Sequence, residues 1–113
     1  MNLKSQDPTD VVIGLLERSS CAVQVAALVV DRNGIYAWGW NSSGDGYGQC
    51  AEAHCLSRAN PKRLSESTMY VAARRQRNAR TVTSRPCDRC QRIIKKVGRV
   101  IYRDSIGIWT TYD

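Results

Sequence analysis

The chain contains no apolar run that approaches the roughly 20 residues needed to cross a membrane, so no membrane contact is predicted. Its first eight residues, MNLKSQDP, lack the apolar core of a secretory signal peptide. No internal repeat, linker or low-complexity stretch interrupts the 113 residues. We therefore expect one domain, residues 1–113, with one modest core.

A disulfide framework is also not indicated. The chain has five cysteines, which is an odd number, and three of them fall in the short motifs described below. Both facts favour a reducing compartment, and we expect a cytoplasmic protein. A hydrophobic content of 42% is that of a globular chain and not of a disordered one.

Acidic residues are nearly absent from one stretch of the sequence. Between Arg74 and Arg103 there are eleven Lys or Arg and a single acid, Asp88. The remainder has six basic and nine acidic residues, so the net charge of +7 comes from this basic segment. Such asymmetry is typical of a protein with a polyanionic partner, but a solvated basic surface explains the charge alone equally well.

Two short motifs give the strongest chemical signal: CAE at 50–52 and PCDRC at 86–90. Together they offer three thiolates for one metal ion and a carboxylate beside it. Zinc with three protein ligands keeps its fourth tetrahedral position for water, which distinguishes a catalytic site from a structural one. Glu52 lies two residues after the first cysteine, near enough to move a proton. The expected ligands are Cys50, Cys87 and Cys90.

Other interpretations of these motifs remain open. A closed zinc knuckle would need a fourth ligand, which Cys21, His54 or Cys55 could supply. A redox CxxC pair would leave Cys50 unrelated to the other two thiols. Neither interpretation explains the proline before the CxxC or the glutamate two residues after Cys50, so a catalytic zinc site is favoured.

The paired motifs resemble the signature of the cytidine deaminase superfamily, H-x-E…P-C-x-x-C, with Cys50 in place of the histidine. The resemblance covers nearly the whole chain, because the surrounding elements follow that family's order. It implies a Zn²⁺ cofactor and hydrolytic deamination of cytosine to uracil. It also implies that Glu52 acts as the general acid and base.

Hydrophobic patterning predicts the element order αββαβαββ. The predicted helices cover 10–18, with Thr9 as N-cap, 50–59 and 86–97; the predicted strands cover 22–30, 35–40, 68–73, 99–103 and 108–112. A turn with Asn33-Gly34 at its tip joins the first two strands. In the resembled family this order forms a three-layer α/β/α sandwich around a five-stranded mixed sheet.

The last two predicted strands are joined by only four residues, 104–107. So short a connection forces an antiparallel hairpin. This arrangement resembles the cytidine deaminase branch of the superfamily. The tRNA-adenosine and deoxycytidylate branches instead have a crossover helix and a parallel fifth strand.

The chain departs from the free-nucleoside deaminases at three points. Members with three cysteines typically place an arginine after the catalytic glutamate, where this chain has Ala53. The glutamate that grips ribose in free-cytidine deaminases is replaced by Ser43, and the Phe residues of that family's N-terminal strand are absent. Residues that could temper the three thiolates instead are His54, Arg85 and Arg89.

Substrate contacts are expected from two places in the sequence. Superfamily members commonly have a substrate-binding Asn after the second strand, which is Asn41 here, and Tyr47 lies in the glycine-rich loop beside the first motif. The basic loop before the second motif supplies further candidates. They are Arg75, Arg77 and Arg80.

Three functions are compatible with these features. The leading hypothesis is deamination of cytosine within single-stranded DNA or RNA, because the basic loop leads directly into a zinc motif. The second is deamination of free cytidine, deoxycytidine or a nucleotide. The third is a non-catalytic, zinc-stabilised nucleic-acid-binding module, against which Glu52 argues. The resemblance also implies a possible homo-oligomer.

Overall fold

The computed structural model describes residues 7–42, 50–86 and 88–112, without the side chains of 88 and 89. Within these residues the predicted order αββαβαββ is confirmed. The elements are α1 (Pro8–Leu15), β1 (Val23–Asp31), β2 (Gly34–Trp40), α2 (Ala51–Arg58), β3 (Thr68–Arg75), α3 (Asp88–Ile94), β4 (Arg99–Arg103) and β5 (Trp109–Thr111). Two 3₁₀ turns, Leu16–Arg18 and Pro61–Glu66, complete them.

The five strands form one mixed sheet in the order β2-β1-β3-β4-β5. Only β3 and β4 run parallel, and the other neighbouring pairs are antiparallel. The predicted terminal hairpin is confirmed, since Tyr102 of β4 lies opposite Thr110 of β5. The Asp104 carboxylate closes its turn by accepting N–H bonds from Ile106 at 3.1 Å and Ile108 at 2.9 Å.

Helices cover both faces of the sheet, because β1 is apolar on both of its sides. Successive residues of a strand point to opposite faces. Ala27 and Val29 belong to the core beneath α2 and α3, whereas Ala26 and Leu28 belong to the core beneath α1. All four are fully buried. The expected three-layer α/β/α sandwich is therefore confirmed.

The start of α1 differs from the prediction by two residues. Asp7, and not Thr9, is the N-cap, and its carboxylate accepts the backbone N–H of Thr9 at 2.9 Å. Pro8 fits the first helical position because its fixed φ suits a helix and its missing N–H would have no partner there. A helix that includes Pro8 must be capped by the residue before it.

The predicted tip of the β1–β2 turn is also wrong by one residue. Arg32 and Asn33 form the turn, and Gly34 already pairs with Asp31 as the first residue of β2. Gly34 has a φ of 110°, a conformation that residues with a Cβ rarely adopt. The glycine is therefore needed to enter the strand and not to form the tip.

The position of α2 depends on a close approach to β2. A Cβ on Gly39 would lie 2.4 Å from the backbone nitrogen of Cys55 and 2.9 Å from the carbonyl carbon of His54. Only glycine allows a helix backbone so near the strand. This contact fixes where the N-terminal end of α2 projects. Among the described residues, no helix is long and apolar enough to span a membrane.

Candidate metal and active site

A cavity of about 290 Å³ opens at the edge of the sheet where β2 ends and α2 begins. It brings together five of the residues singled out from the sequence: Asn41, Cys50, Glu52, Arg85 and Cys90. The other described residues that line it are Val25, Ser42, Ala51, Thr83 and Ser84.

The two motifs meet because α2 and α3 pack against each other on one face of the sheet. Cys50 is the N-cap of α2, and Glu52 lies in its first turn. Cys90 lies in α3. The side chains of Glu52 and Cys90 are nearly inaccessible, with 4% and 2% of their surface exposed, so they form the floor of the cavity.

Glu52 is a buried carboxyl in a largely apolar setting. Burial raises the pKa of Glu52, because the charged form loses its hydration, while its own backbone N–H and the Cys90 side chain oppose that shift by hydrogen bonding. A carboxyl with a raised pKa can both donate and accept a proton near neutral pH. The position and chemistry of Glu52 are those of a general acid and base.

The donor chemistry of the cavity fits zinc. Two thiols, Cys50 and Cys90, line it beside the buried carboxyl, and thiolates are among the ligands that zinc prefers. Cys87, the third expected ligand, lies outside the described residues. Within the part of the chain that is described, no three His, Cys, Asp or Glu side chains are grouped closely enough to hold a metal.

The residues considered as a fourth ligand of a closed knuckle are placed elsewhere. None of the three is among the described residues that line the cavity. Burial raises the pKa of the fully buried Cys55 to about 12, which suits an inert packing residue. His54 Nδ1 lies 3.2 Å from the backbone nitrogen of Trp40 and 3.1 Å from its oxygen. Cys21 is half-buried.

Asn41 lines the cavity while its amide joins two strands. Its Oδ1 accepts hydrogen bonds from the Ser19 hydroxyl at 2.6 Å and the Val25 N–H at 2.8 Å. Its Nδ2 donates to the Val23 carbonyl at 2.8 Å. One N–H of the amide remains beyond these three bonds. Asn41 therefore holds the start of β1 to the end of β2, and a substrate contact would be an additional role.

The basic loop projects from the end of β3. Arg75 donates its N–H to the carbonyl of Arg80 at 2.8 Å, and Thr81 then bridges back to Arg74. The side chains of Arg75, Arg77 and Arg80 are exposed and are not among the described lining residues. The chain then continues directly into the lining segment 83–85.

The remaining predicted residues divide into two groups. Arg85 lies at the cavity, exposed, with its guanidinium carbon 5.1 Å from the centre of the Tyr112 ring. Tyr47 and the side chain of Arg89 lie outside the part of the structure that is described.

Sequence reasoning missed Ser84, which anchors the segment before the second motif. Its Oγ lies 2.8 Å from the Val71 carbonyl and 2.9 Å from the Arg103 carbonyl, and it accepts the Arg103 N–H at 2.9 Å. The side chain is 5% exposed. A serine in a polar loop carries no signal that it bridges two parallel strands, so only the position two residues before Pro86 could have drawn attention to it.

Comparison with known proteins agrees with this geometry. A cytidine deaminase from Burkholderia pseudomallei superposes with a TM-score of 0.70 at 18% identity, covering 92% of this chain and 87% of that one. A cytidine deaminase from Mycobacterium leprae gives 0.61 at 16% identity, covering 90% and 87%. A mutant form of the cytidine deaminase from Mycobacterium tuberculosis gives 0.54 at 15% identity, covering 80% and 76%. Identities this low establish the fold alone.

Family membership comes from the sequence match. No match was found among functionally curated proteins. Residues 8–103, however, match the model of the cytidine and deoxycytidylate deaminase zinc-binding region, which is most of the chain and includes both motifs. The chain therefore belongs to the family of the cytidine and deoxycytidylate deaminase zinc-binding region.

Proposed function

We propose that this protein is a zinc-dependent hydrolytic deaminase that converts cytosine to uracil, acting on single-stranded nucleic acid. The observation that carries the chemistry is the burial of Glu52 on the floor of the cavity that Cys50 and Cys90 line. A structural zinc site has no need of a carboxyl that is held beside it in a cavity. Family membership supports the same reaction.

The reaction adds water to cytosine and releases ammonia. Cys50, Cys87 and Cys90 would hold the zinc, which when bound lowers the pKa of water and so provides a nucleophile near neutral pH. Glu52 accepts a proton from the attacking water and delivers it to the ring nitrogen. It then protonates the amino group that leaves as ammonia. The burial that raises the pKa of Glu52 favours both the donating and the accepting role.

The polynucleotide substrate is supported by the basic loop. Arg75, Arg77 and Arg80 are exposed on a turn that leads within a few residues to the cavity. A cavity of about 290 Å³ lies at the lower end of ligand-site volumes and suits one nucleoside. A base in a polynucleotide must therefore be unstacked to enter it, which favours single-stranded or looped substrate.

A second candidate substrate is free cytidine, deoxycytidine or a nucleotide. The solved structures that superpose on this chain are cytidine deaminases by name, and the antiparallel β5 follows that branch. The exposed arginines would then hold a phosphate or only solvate the surface. A homo-oligomer would suit either substrate. Glu52 argues against a non-catalytic binding module, since binding alone needs no acid at the metal.

The deciding experiment measures ammonia release by zinc-loaded protein from cytidine, deoxycytidylate and a single-stranded oligonucleotide that contains one cytosine. We expect release from the oligonucleotide. Good turnover of cytidine or deoxycytidylate, with no binding of single-stranded DNA or RNA at low salt, would establish the second candidate. Release from none of the three would refute the deaminase proposal.

A charge-matched pair of variants tests the role of the basic loop. Replacing Arg75, Arg77 and Arg80 with Gln should weaken oligonucleotide binding and flatten its salt dependence by about one unit of slope per lost phosphate contact. The control replaces Arg32, Lys62 and Arg99, which are exposed at the opposite end of the sheet. Equal effects of both triple variants would show that only total charge matters.

A further inference from the structure

Arg85 differs from the other arginines of the basic segment because it lies at the cavity itself. Its side chain is exposed, whereas Glu52, Ser84 and Cys90 on the floor are almost inaccessible. The cavity therefore has a buried reactive floor and a cationic rim. Among the described residues that line it, Arg85 is the one cation and Glu52 the one carboxyl.

The guanidinium of Arg85 is held in place by an aromatic ring. Its central carbon lies 5.1 Å from the centre of the Tyr112 ring, within the range of a cation–π contact. No described residue forms an ion pair with it. The ring restrains one face of the guanidinium and leaves the N–H donors at its edge available. A guanidinium restrained in this way is suited to bidentate binding of an anion.

We propose that Arg85 binds a phosphate ester attached to the target nucleoside and makes the enzyme favour phosphorylated substrate over free nucleoside. This inference rests on the proposed function, because it takes the base to occupy the floor beside Glu52. The sugar and its phosphate then extend toward the rim, where Arg85 is the cation they meet. Arg85 is thus a specificity-determining residue.

This role differs from the tempering of the zinc thiolates that the sequence left open for Arg85. A residue that neutralises a thiolate must be buried beside the sulfur, as Cys90 is with 2% exposure. Arg85 is exposed, and its cation–π partner Tyr112 is not among the described lining residues. The guanidinium is therefore placed toward solvent, where an incoming phosphate arrives.

Product binding tests the inference without any turnover. The affinities of uridine, uridine 5′-monophosphate and uridine 3′-monophosphate are measured by titration of the zinc-loaded protein. We expect at least one monophosphate to bind tenfold or more better than uridine, and Arg85→Gln to abolish most of this ratio, since a charge-assisted hydrogen bond contributes about tenfold or more. The exposed control Arg32→Gln should keep the ratio.

Tyr112 provides a second variant pair. Tyr112→Leu removes the ring over which Arg85 is held, whereas Tyr112→Phe keeps the ring and removes only the hydroxyl. We expect the phosphate preference to fall in the leucine variant and to persist in the phenylalanine variant. A preference that falls equally in both would assign the effect to the hydroxyl and overturn the cation–π part of the inference.

The source of the phosphate is distinguished with an oligonucleotide that carries neutral methylphosphonate linkages on both sides of its single cytosine. If the phosphate belongs to a polynucleotide, this change lowers kcat/KM in the wild type and has little further effect in Arg85→Gln. If mononucleotides alone show the Arg85 dependence, the phosphate belongs to a free nucleotide.

Two outcomes separate this inference from the proposed function. Deamination with no difference between wild type and Arg85→Gln in any phosphate preference would overturn the inference and leave the deaminase proposal intact. Arg85-dependent binding of a monophosphate by a protein that releases no ammonia would refute the deaminase proposal and leave the phosphate site. Equal affinity of the wild type for uridine and both monophosphates would also overturn the inference.

Discussion

The side-chain oxygen of Asn41 accepts the hydroxyl hydrogen of Ser19 at 2.6 Å, which joins the end of β2 to the segment that precedes β1. The same amide donates to the Val23 carbonyl at 2.8 Å. Asn41 thus needs one acceptor and one donor in fixed positions. This arrangement fixes the wall of the cavity opposite the zinc motifs.

Asn41→Asp tests that arrangement, because it keeps the acceptor and turns the donor into a second acceptor facing the Val23 carbonyl. We expect a loss of about 1–3 kcal/mol in the free energy of unfolding, the cost of an unsatisfied buried polar group. Urea denaturation measures it. Ser19→Ala should cost less, since Oδ1 keeps the Val25 N–H. An unchanged stability of Asn41→Asp would contradict the structural role.

A second prediction concerns the contact between β2 and α2. Gly39→Ala places a methyl group 2.4 Å from the Cys55 nitrogen, so α2 must move. We expect a loss of about 1–3 kcal/mol in stability and a fall in activity, since Cys50 and Glu52 move with the helix. Gly14→Ala is the control: its Cβ meets nothing within 4 Å, and it should stabilise α1 by about 0.5–1 kcal/mol.

A third prediction concerns pH. Arg63 donates two hydrogen bonds to the Asp31 carboxylate, at 2.7 Å and 2.8 Å, and these lower the pKa of Asp31 below its usual 3.8. The resulting stabilisation is complete above the unfolded-state pKa and is lost as the pH falls through the lower folded-state pKa. Asp31→Asn should therefore cost about 1 kcal/mol near neutral pH.

The difference between wild type and Asp31→Asn should shrink as the pH falls below about 4. Thermal unfolding at about pH 7 and about pH 3 measures it. A difference that stays constant between these two conditions would mean that the ion pair does not carry the effect.

A fourth prediction concerns the metal. Replacing Cys50, Cys87 or Cys90 with Ala should lower zinc affinity by more than the about 10–100-fold that loss of a partner behind a ligand causes. Stability should fall with it, since metal binding and folding are coupled. Cys21→Ala, at a half-buried cysteine that is not among the described lining residues, is the control. Full zinc content in Cys87→Ala would rule out the proposed ligand set.

The sequence was sufficient for the layers and strand order where the pattern is two-sided. The run 22–30 is apolar at both odd and even positions, which requires cover on both faces of β1, and the structure provides it. The four-residue connection 104–107 likewise determined the direction of β5. The boundaries were less predictable, because the cap of α1 depends on how Pro8 fits the first turn.

The site was predictable only where chemistry implies a motif. Cys50, Glu52 and Cys90 reach one cavity, as their spacing indicates. His54 lies four residues after Cys50, yet its ring packs against Trp40, with centroids 4.8 Å apart. The close approach at Gly39 draws that part of the helix toward β2. Such a tertiary contact has no signature in the local sequence.

The central claim is that Glu52 moves the protons of a hydrolytic deamination at a zinc that it does not bind. The direct measurement is the zinc content and the rate of ammonia release of Glu52→Gln, beside the exposed control Glu66→Gln. We predict full zinc, an unchanged fold and a rate lower by about 10²–10⁴-fold, with no change in the control. Undiminished ammonia release by a zinc-loaded Glu52→Gln protein would contradict the account.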